Sequence, residues 1–328
     1  MGIAPYVAEA IIREHKFKSI TGDVLLLGRQ TMLFSPQDAV AMIRGQGIEP
    51  APIPLDGSII DRQTLAAQGH SYIRDDAFFR LLGVDKIRAL DHTDYEGAEV
   101  IHDLNVPVPD RLEGIADFIL DGSTLDNVWD AATTLRNVAR FLRTGGRLLS
   151  INMGSNHATP YLVFTPQWLL DYFVANHFAD CKVYIVVHGN EGQISFFIPD
   201  PDRLLLPGAN ALGNFTSSFP MGVLVLAEKG ADSTWDKIPI QQTYRPDEAM
   251  VTYEVDLARM RMKKRPHPIG STGLTPIYGN SDGWLYVDKD GSVGPIGPRT
   301  TAGKRTITSR AMRRIRAATA ALMGRPTG

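Results

Sequence analysis

The sequence predicts an α/β fold with a parallel sheet. Three observations between Lys86 and Met153 carry that reading. Short apolar runs at 86–91, 98–105 and 116–122 each reach an acid near their end. A helical stretch at 125–142 follows, with Val128, Ala131, Leu135, Val138 and Leu142 at helical spacing. Gly145-Gly146 then turns into a further apolar run at 147–153. Short β-rich runs alternating with helical segments build parallel sheets, whose ligands sit beyond the carboxyl ends of the strands. Asp91, Asp103 and Asp121 fall at those ends.

Composition sets the frame. The chain has 328 residues and is 44% hydrophobic, enough for one large domain and an appendage. Its one cysteine, Cys181, lies in an apolar run, so no intrachain disulfide forms, which fits a reducing compartment. No basic-then-apolar leader opens the chain, and no apolar run approaches the ~20 residues of a membrane span. A cytoplasmic protein is expected. The net charge of -2 hides an asymmetry. From Arg259 onward there are fourteen basic and three acidic residues, +11, which leaves -13 on the remainder. Such a tail either reaches an acidic partner, lies on its own body or a second subunit, or is simply solvated.

Taken in order, residues 6–18 read as an amphipathic helix and 23–27 as the first buried strand, followed by Gly28. Ser35, Pro36 and Asp38 form a helix start that runs to about Arg44. The long connection 48–83 is Pro-rich at first, then holds short helices at 61–68 and 75–82, placed to cap a site or cover a sheet edge. Residues 154–164 form a loop with Asn156, His157 and Tyr161. Thr165 caps a helix reaching about Asn176. Runs at 181–187 and 221–227 are strands, with a β-like run at 194–198 between them. A hairpin is expected around 284–291 and a helix at 309–323.

Several short motifs recur in a characteristic order. Leu27-Gly28-Arg29-Gln30 follows the first strand. Tyr95-Glu96-Gly97-Ala98 leads to His102-Asp103-Leu104-Asn105. Leu142, Arg143, Gly145 and Gly146 precede the 147–153 strand. Over about 21–229 this order resembles the class I S-adenosylmethionine (SAM)-dependent methyltransferases. The resemblance implies a Rossmann-like methyltransferase fold of about seven strands, the last antiparallel, with SAM as cofactor. The expected division is a methyltransferase-like domain at 1–230 and a basic, Gly/Pro-rich extension at 231–328 with a terminal helix.

Methyl transfer from a sulfonium is an in-line displacement in which the protein mainly supplies alignment. Gly28 lets the backbone approach a ligand, and a following helix N-terminus can receive a carboxylate. Arg29, beside Gln30, either binds the donor carboxylate or fills the site. Asp91 is placed to accept ribose hydroxyls, or else caps a turn, with Asp94 as substitute. The resemblance implies an adenine contact for Asp103 with apolar cover from Leu104, while Asp103 equally suits a cap on the Asn-Val-Pro turn. Asp121 is a candidate cofactor contact, as is Gln30, and the resemblance implies that the donor's methyl group meets the acceptor along 121–128. The branch of the family that shares the Leu-Gly-Arg-Gln and Tyr-Glu-Gly-Ala…His-Asp-Leu-Asn motifs, which this chain resembles, often has Glu-His where this chain has Asp126-Asn127. Asp126 reads as an acceptor contact or as a plain acid at a helix start. For an oxygen acceptor, His157 is the candidate base, and Tyr161 and His188 are candidate substrate contacts.

Other classes are excluded. Gly-x-Gly-x-x-Gly is absent after the first strand, which argues against a nicotinamide fold. No Cys/His spacing supports zinc, and Asp288-Lys289-Asp290-Gly291 lacks the closing acid of a calcium loop. The arginines at 310, 313, 314 and 316 read as the wet face of a helix rather than a nucleic-acid surface. The expected function is SAM-dependent methylation of a small molecule, at an oxygen of a sugar or glycan intermediate or a secondary metabolite. The alternative is a decayed methyltransferase-fold module whose basic tail docks a partner; separately, the extension is a candidate for self-association.

Overall fold

A computed structural model describes residues 2–155, 160–188, 194–197, 220–241, 244–262, 285–287 and 293–295. The elements in chain order are β1 (Gly2–Ile3), α1 (Pro5–Phe17), β2 (Asp23–Leu27), β3 (Thr31–Met32), α2 (Pro36–Gly45), α3 (Asp75–Leu81), β4 (Lys86–Asp91) and β5 (Val100–Ile101). Then come β6 (Ala116–Gly122), α4 (Ala131–Phe141), β7 (Leu142–Ser155), α5 (Pro166–Ala175), β8 (Asp180–His188), β9 (Ile194–Phe197) and β10 (Met221–Glu228). The last described are α6 (Asp247–Met262), β11 (Leu285–Val287) and β12 (Val293–Pro295).

The main sheet runs β12-β11-β9-β8-β10-β7-β6-β2-β4-β5. Its seven central strands, β5-β4-β2-β6-β7-β10-β8, follow the order 3-2-1-4-5-7-6 when numbered among themselves. Neighbours from β5 to β7 are parallel, and β10 is antiparallel to both β7 and β8. This is the Rossmann-like sheet that the sequence predicts, with the last strand antiparallel. The order reverses between β2 and β6.

Both sheet faces are covered, so the strands read as continuous apolar runs rather than alternating ones. Successive residues feed opposite cores. Leu25, Leu27, Ile119, Leu148 and Val225 pack with Leu135, Val138 and Phe173 of α4 and α5. Val24, Leu26, Leu120, Leu149 and Leu226 pack with Ile11 of α1, Ala39 and Ile43 of α2, and Phe78 of α3.

Local sequence fixes the boundaries. Ser35 and Asp38 form a reciprocal capping box at the start of α2, and Thr165 accepts the Trp168 N–H at the start of α5. Gly146 has no room for a side chain: a Cβ there would stand 2.8 Å from the Arg143 carbonyl oxygen. Two elements depart from the periodicity. The 98–105 run pairs only at Val100–Ile101, because the remaining residues turn to build the site. The helix expected from residue 125 starts at Ala131. Asp130, not the earlier residues, supplies its cap by accepting the Thr133 N–H. The hairpin expected near 284–291 is β11 paired with β12, and the helix expected at 309–323 lies outside the described residues.

Packing continues past residue 230. Tyr253, Leu257 and Met260 of α6 are buried in the same core as α5. A polar clamp holds that helix. The Arg245 guanidinium lies 3.7 Å from the Tyr253 ring centre and 3.2 Å from Asp171 Oδ2, and Tyr253 donates its hydroxyl to Asp171 Oδ1 at 2.6 Å. Burial pushes the Tyr253 hydroxyl and the Asp171 carboxyl up from their ordinary values. A chain ending at residue 230 is therefore expected to lose roughly 3–6 kcal/mol from Leu257 and Met260 alone relative to one ending at 262. Denaturant melts of the two truncations measure this; equal midpoints would put the domain end back at 230.

Candidate functional site

The carboxyl ends of β2, β4 and β6 open on a cleft of about 410 Å³. Gly28, Asp91, Asp103, Leu104, Thr124 and Tyr161 are among its walls. It lies at the reversal between β2 and β6, where open α/β sheets leave a crevice. Five of the residues singled out by sequence meet here: Gly28, Asp91, Asp103, Leu104 and Tyr161.

Gly28 turns the chain out of β2 at φ +73°, and its N–H donates to the Leu90 carbonyl at 2.7 Å. A Cβ at this position would stand 3.6 Å from Asp91 Oδ2 and 3.6 Å from Thr124 Oγ1, between the two walls. Glycine is thus required by conformation and leaves the crevice open. Thr124 is fixed by donating its hydroxyl to the Leu27 carbonyl at 2.6 Å.

Asp91 uses one oxygen locally. Oδ1 accepts the His92 N–H at 2.6 Å, while Oδ2 takes no hydrogen bond among the described residues. Asp103 divides its oxygens in the same way. Its Oδ1 accepts both the N–H and the side-chain amide of Asn105, at 2.9 and 2.8 Å, which holds the carboxyl below its ordinary value. The Asp103 side chain therefore caps its turn, and its Oδ2 takes no hydrogen bond among the described residues. Asn105 in turn accepts the Asp130 N–H at 2.8 Å, tying this turn to the start of α4. Leu104 is 6% exposed, and its carbonyl accepts from Thr134 and Asn137.

Other candidate residues lie behind the cleft. Arg29 turns away from it and pairs with Asp75, Glu99 and the Gly97 carbonyl. The Gln30 side chain is buried and donates to the Leu27 and Gly28 carbonyls. Both shape the Gly28 turn from the rear. The helix N-terminus expected to receive a carboxylate is already served: α2 starts at Pro36, and Asp38 sits in its first turn as the capping acid.

Asp121 and Asp126 are buried and consumed. Asp121 Oδ1 accepts the Thr124 N–H at 2.5 Å, and Oδ2 accepts from Ser150 at 2.7 Å and Asn152 at 3.0 Å. Asp126 Oδ2 accepts the Met153 N–H at 2.8 Å and the Ser123 hydroxyl at 3.0 Å, and Oδ1 accepts from Asn127 at 2.7 Å. Burial raises both carboxyls above their ordinary values. Asp126 neither starts a helix nor faces the cleft; its backbone N–H donates to Asn152 and its carbonyl accepts from Leu162. His188 ends β8 with its ring edge-on to Tyr6, 5.5 Å between centres. His157 lies outside the described residues.

Sequence reasoning passed over Asp75, Ser150, Asn152 and Trp129. Ser150 and Asn152 stand two apart on β7 and so share a face, a pattern visible in the sequence once Asp121 is put opposite Ser150. Asp75 begins α3 and had no signal of its own. It accepts the Gln30 N–H at 3.0 Å and the Asp76 N–H at 2.7 Å beside Arg29.

No protein-family model matches the chain, and no curated protein matches it. Solved structures do. One is the Burkholderia thailandensis 1,6-didemethyltoxoflavin-N1-methyltransferase bound to 1,6-didemethyltoxoflavin and S-adenosylhomocysteine, at 17% identity and TM-score 0.30, covering 68% of this chain and 76% of that one. A second is a SAM-dependent methyltransferase from Aquifex aeolicus, at 12% identity and TM-score 0.30, covering 67% and 88%. A third is the StiE O-MT fragment, residues 961–1257, at 12% identity and TM-score 0.33, covering 78% and 79%.

Burial raises the Asp75 carboxyl to about 6 despite Arg29 nearby. Its folded value lies above its unfolded one, so the protonated acid stabilises the fold and that contribution is lost as pH rises through about 6. The stability of the wild type relative to Asp75→Asn should therefore fall by about 3 kcal/mol between the ordinary carboxylate range and neutrality. Urea titrations across that window test this, and a pH-independent difference would refute it.

Proposed function

We propose that this chain is a SAM-dependent methyltransferase acting on a small molecule, with the cleft at Gly28, Asp91 and Asp103 as its donor site. The observation that carries the reading is the uncommitted Asp91 Oδ2 beside the open Gly28 turn. A carboxylate there accepts ribose hydroxyls. Asp103 Oδ2 and the partly apolar Leu104 wall suit an adenine ring with an exocyclic amine. The acids also suit a cationic donor, and the residues present fit its adenosyl part. Bound SAM would supply an activated methyl group. The work left to the chain is to hold the donor, keep the crevice open at Gly28 and align an acceptor.

The acceptor is proposed to be a hydroxyl of a sugar, a glycan intermediate or a secondary metabolite, with His157 taking its proton. The decayed-module reading draws on one observation: Arg29, next to the donor turn, is spent on Asp75 and Glu99 and contributes no cation to the cleft.

Calorimetric titration with SAM and with S-adenosylhomocysteine decides between the two. Saturable binding of both is expected. Asp91→Ala should weaken it by about 1–3 kcal/mol, because charge-assisted hydrogen bonds are lost. Absence of binding at millimolar donor would end the methyltransferase reading. Unchanged affinity in a folded Asp91→Ala protein would take the ribose role from Asp91.

A further inference from the structure

Two aromatic side chains stand at the edge of the cleft with their faces uncovered. Trp129 is 81% exposed and Tyr161 70% exposed, and both contribute to the cleft wall. They touch each other at right angles, 6.1 Å between ring centres and 79° between planes. Isolated apolar residues on a surface need no explanation, but a contacting pair at a cleft mouth forms a corner of two bare π faces.

The corner is built on a fixed base. Trp129 rides on the loop after β6 and Tyr161 on the chain after β7. Asp126 joins the two loops: its carboxylate accepts the Met153 N–H, and its carbonyl accepts the Leu162 N–H at 3.1 Å, one residue from Tyr161. Asp130 N–H, one residue from Trp129, is held by Asn105 from the opposite wall. The aromatic backbones are therefore stapled on both sides by polar groups, the buried Asp126 and the half-buried Asn105. The side chains gain little burial in return.

The charges around the corner select what could stack there. The cleft walls include Asp91, Asp103, His92 and His102 and no lysine or arginine among the described residues, so a phosphorylated acceptor finds no permanent counter-charge. A cationic acceptor would meet the donor sulfonium. A neutral ring meets neither obstacle. The Trp129 indole N–H and the Tyr161 hydroxyl have no hydrogen-bond partner among the described residues, which leaves two polar tips beside the π faces. Bare aromatic faces with polar tips suit the C–H face and hydroxyl rim of a pyranose.

We infer that the Trp129–Tyr161 corner is the acceptor subsite, and that it takes a neutral sugar ring. The inference rests on the donor reading of the adjoining cleft.

Saturation-transfer NMR on the full chain with S-adenosylhomocysteine tests it, using the methyl glycosides of glucose, galactose, mannose and rhamnose as probes. Irradiation of the aromatic protons should reach the ring C–H protons of at least one glycoside. Trp129→Ala or Tyr161→Ala should weaken that glycoside about fivefold, the effect of losing one aromatic contact. Saturation that survives both substitutions overturns the subsite. So does saturation on none of the four, or stronger binding of glucose 6-phosphate or glucosamine. Donor binding separates the two readings: without it the methyltransferase reading fails first, whereas intact donor binding with a silent corner removes only the sugar subsite.

Discussion

The site depends on one buried carboxylate. Asp121 ends the central strand β6, 2% exposed, and gathers the Thr124 and Leu125 N–H groups, the Ser150 hydroxyl and the Asn152 amide. A carboxylate out of water is costly unless its lone pairs are met, and here four donors meet them. The consequence is geometric. The chain leaving β6 cannot run straight into α4, because the N–H groups of Thr124 and Leu125 are drawn back to the strand end. It spends 123–130 as a loop, and that loop supplies Thr124, Asn127 and Trp129 to the cleft.

The network propagates sideways through Asn152, which bonds Asp121 with its amide and receives the Asp126 N–H on its carbonyl oxygen. Asp126 then holds β7 at Met153 and the following loop at Leu162. Removing any single member leaves a buried partner unmet, which costs about 1–3 kcal/mol, more than the net gain of one ordinary hydrogen bond. The loops after β6 and β7 are thus set as one unit, and the aromatic pair they carry inherits a defined spacing.

Much of this was legible in the sequence, for physical reasons that differ from element to element. Strands covered on both faces announce themselves as apolar runs, so β2, β4, β6, β7, β8 and β10 were readable. Ser35, Asp38 and Thr165 were readable because capping is local. The start of α4 was not, because Val128 continues the helical spacing while Asp121 and Asp126, through bonds to other strands, hold the chain out of the helix. Asp91 was readable at the end of β4, whereas Asp103 lies two residues past the short β5, in the turn that follows it. Arg29 was not legible: its partners Asp75 and Glu99 are 46 and 70 residues away, and a single sequence carries no sign of that pairing.

Four aspartates near the strand ends therefore divide into two kinds that composition cannot separate. Asp121 and Asp126 have every oxygen met and their carboxyls raised by burial. Asp91 and Asp103 each have one oxygen engaged by the backbone and one with no hydrogen bond among the described residues. The first pair spends its hydrogen-bonding capacity within the chain and gains rigidity. The second keeps capacity in reserve, which makes it useful only when a ligand with donors arrives. Rigidity behind and unmet acceptors in front are complementary requirements of a binding site: a free acceptor selects a ligand only if the wall that carries it does not relax to satisfy it from within. In this chain the fixed wall is the Asp121–Asn152–Asp126 network. Across the cleft from it stand Asp91 and Asp103, the acids of the proposed donor site.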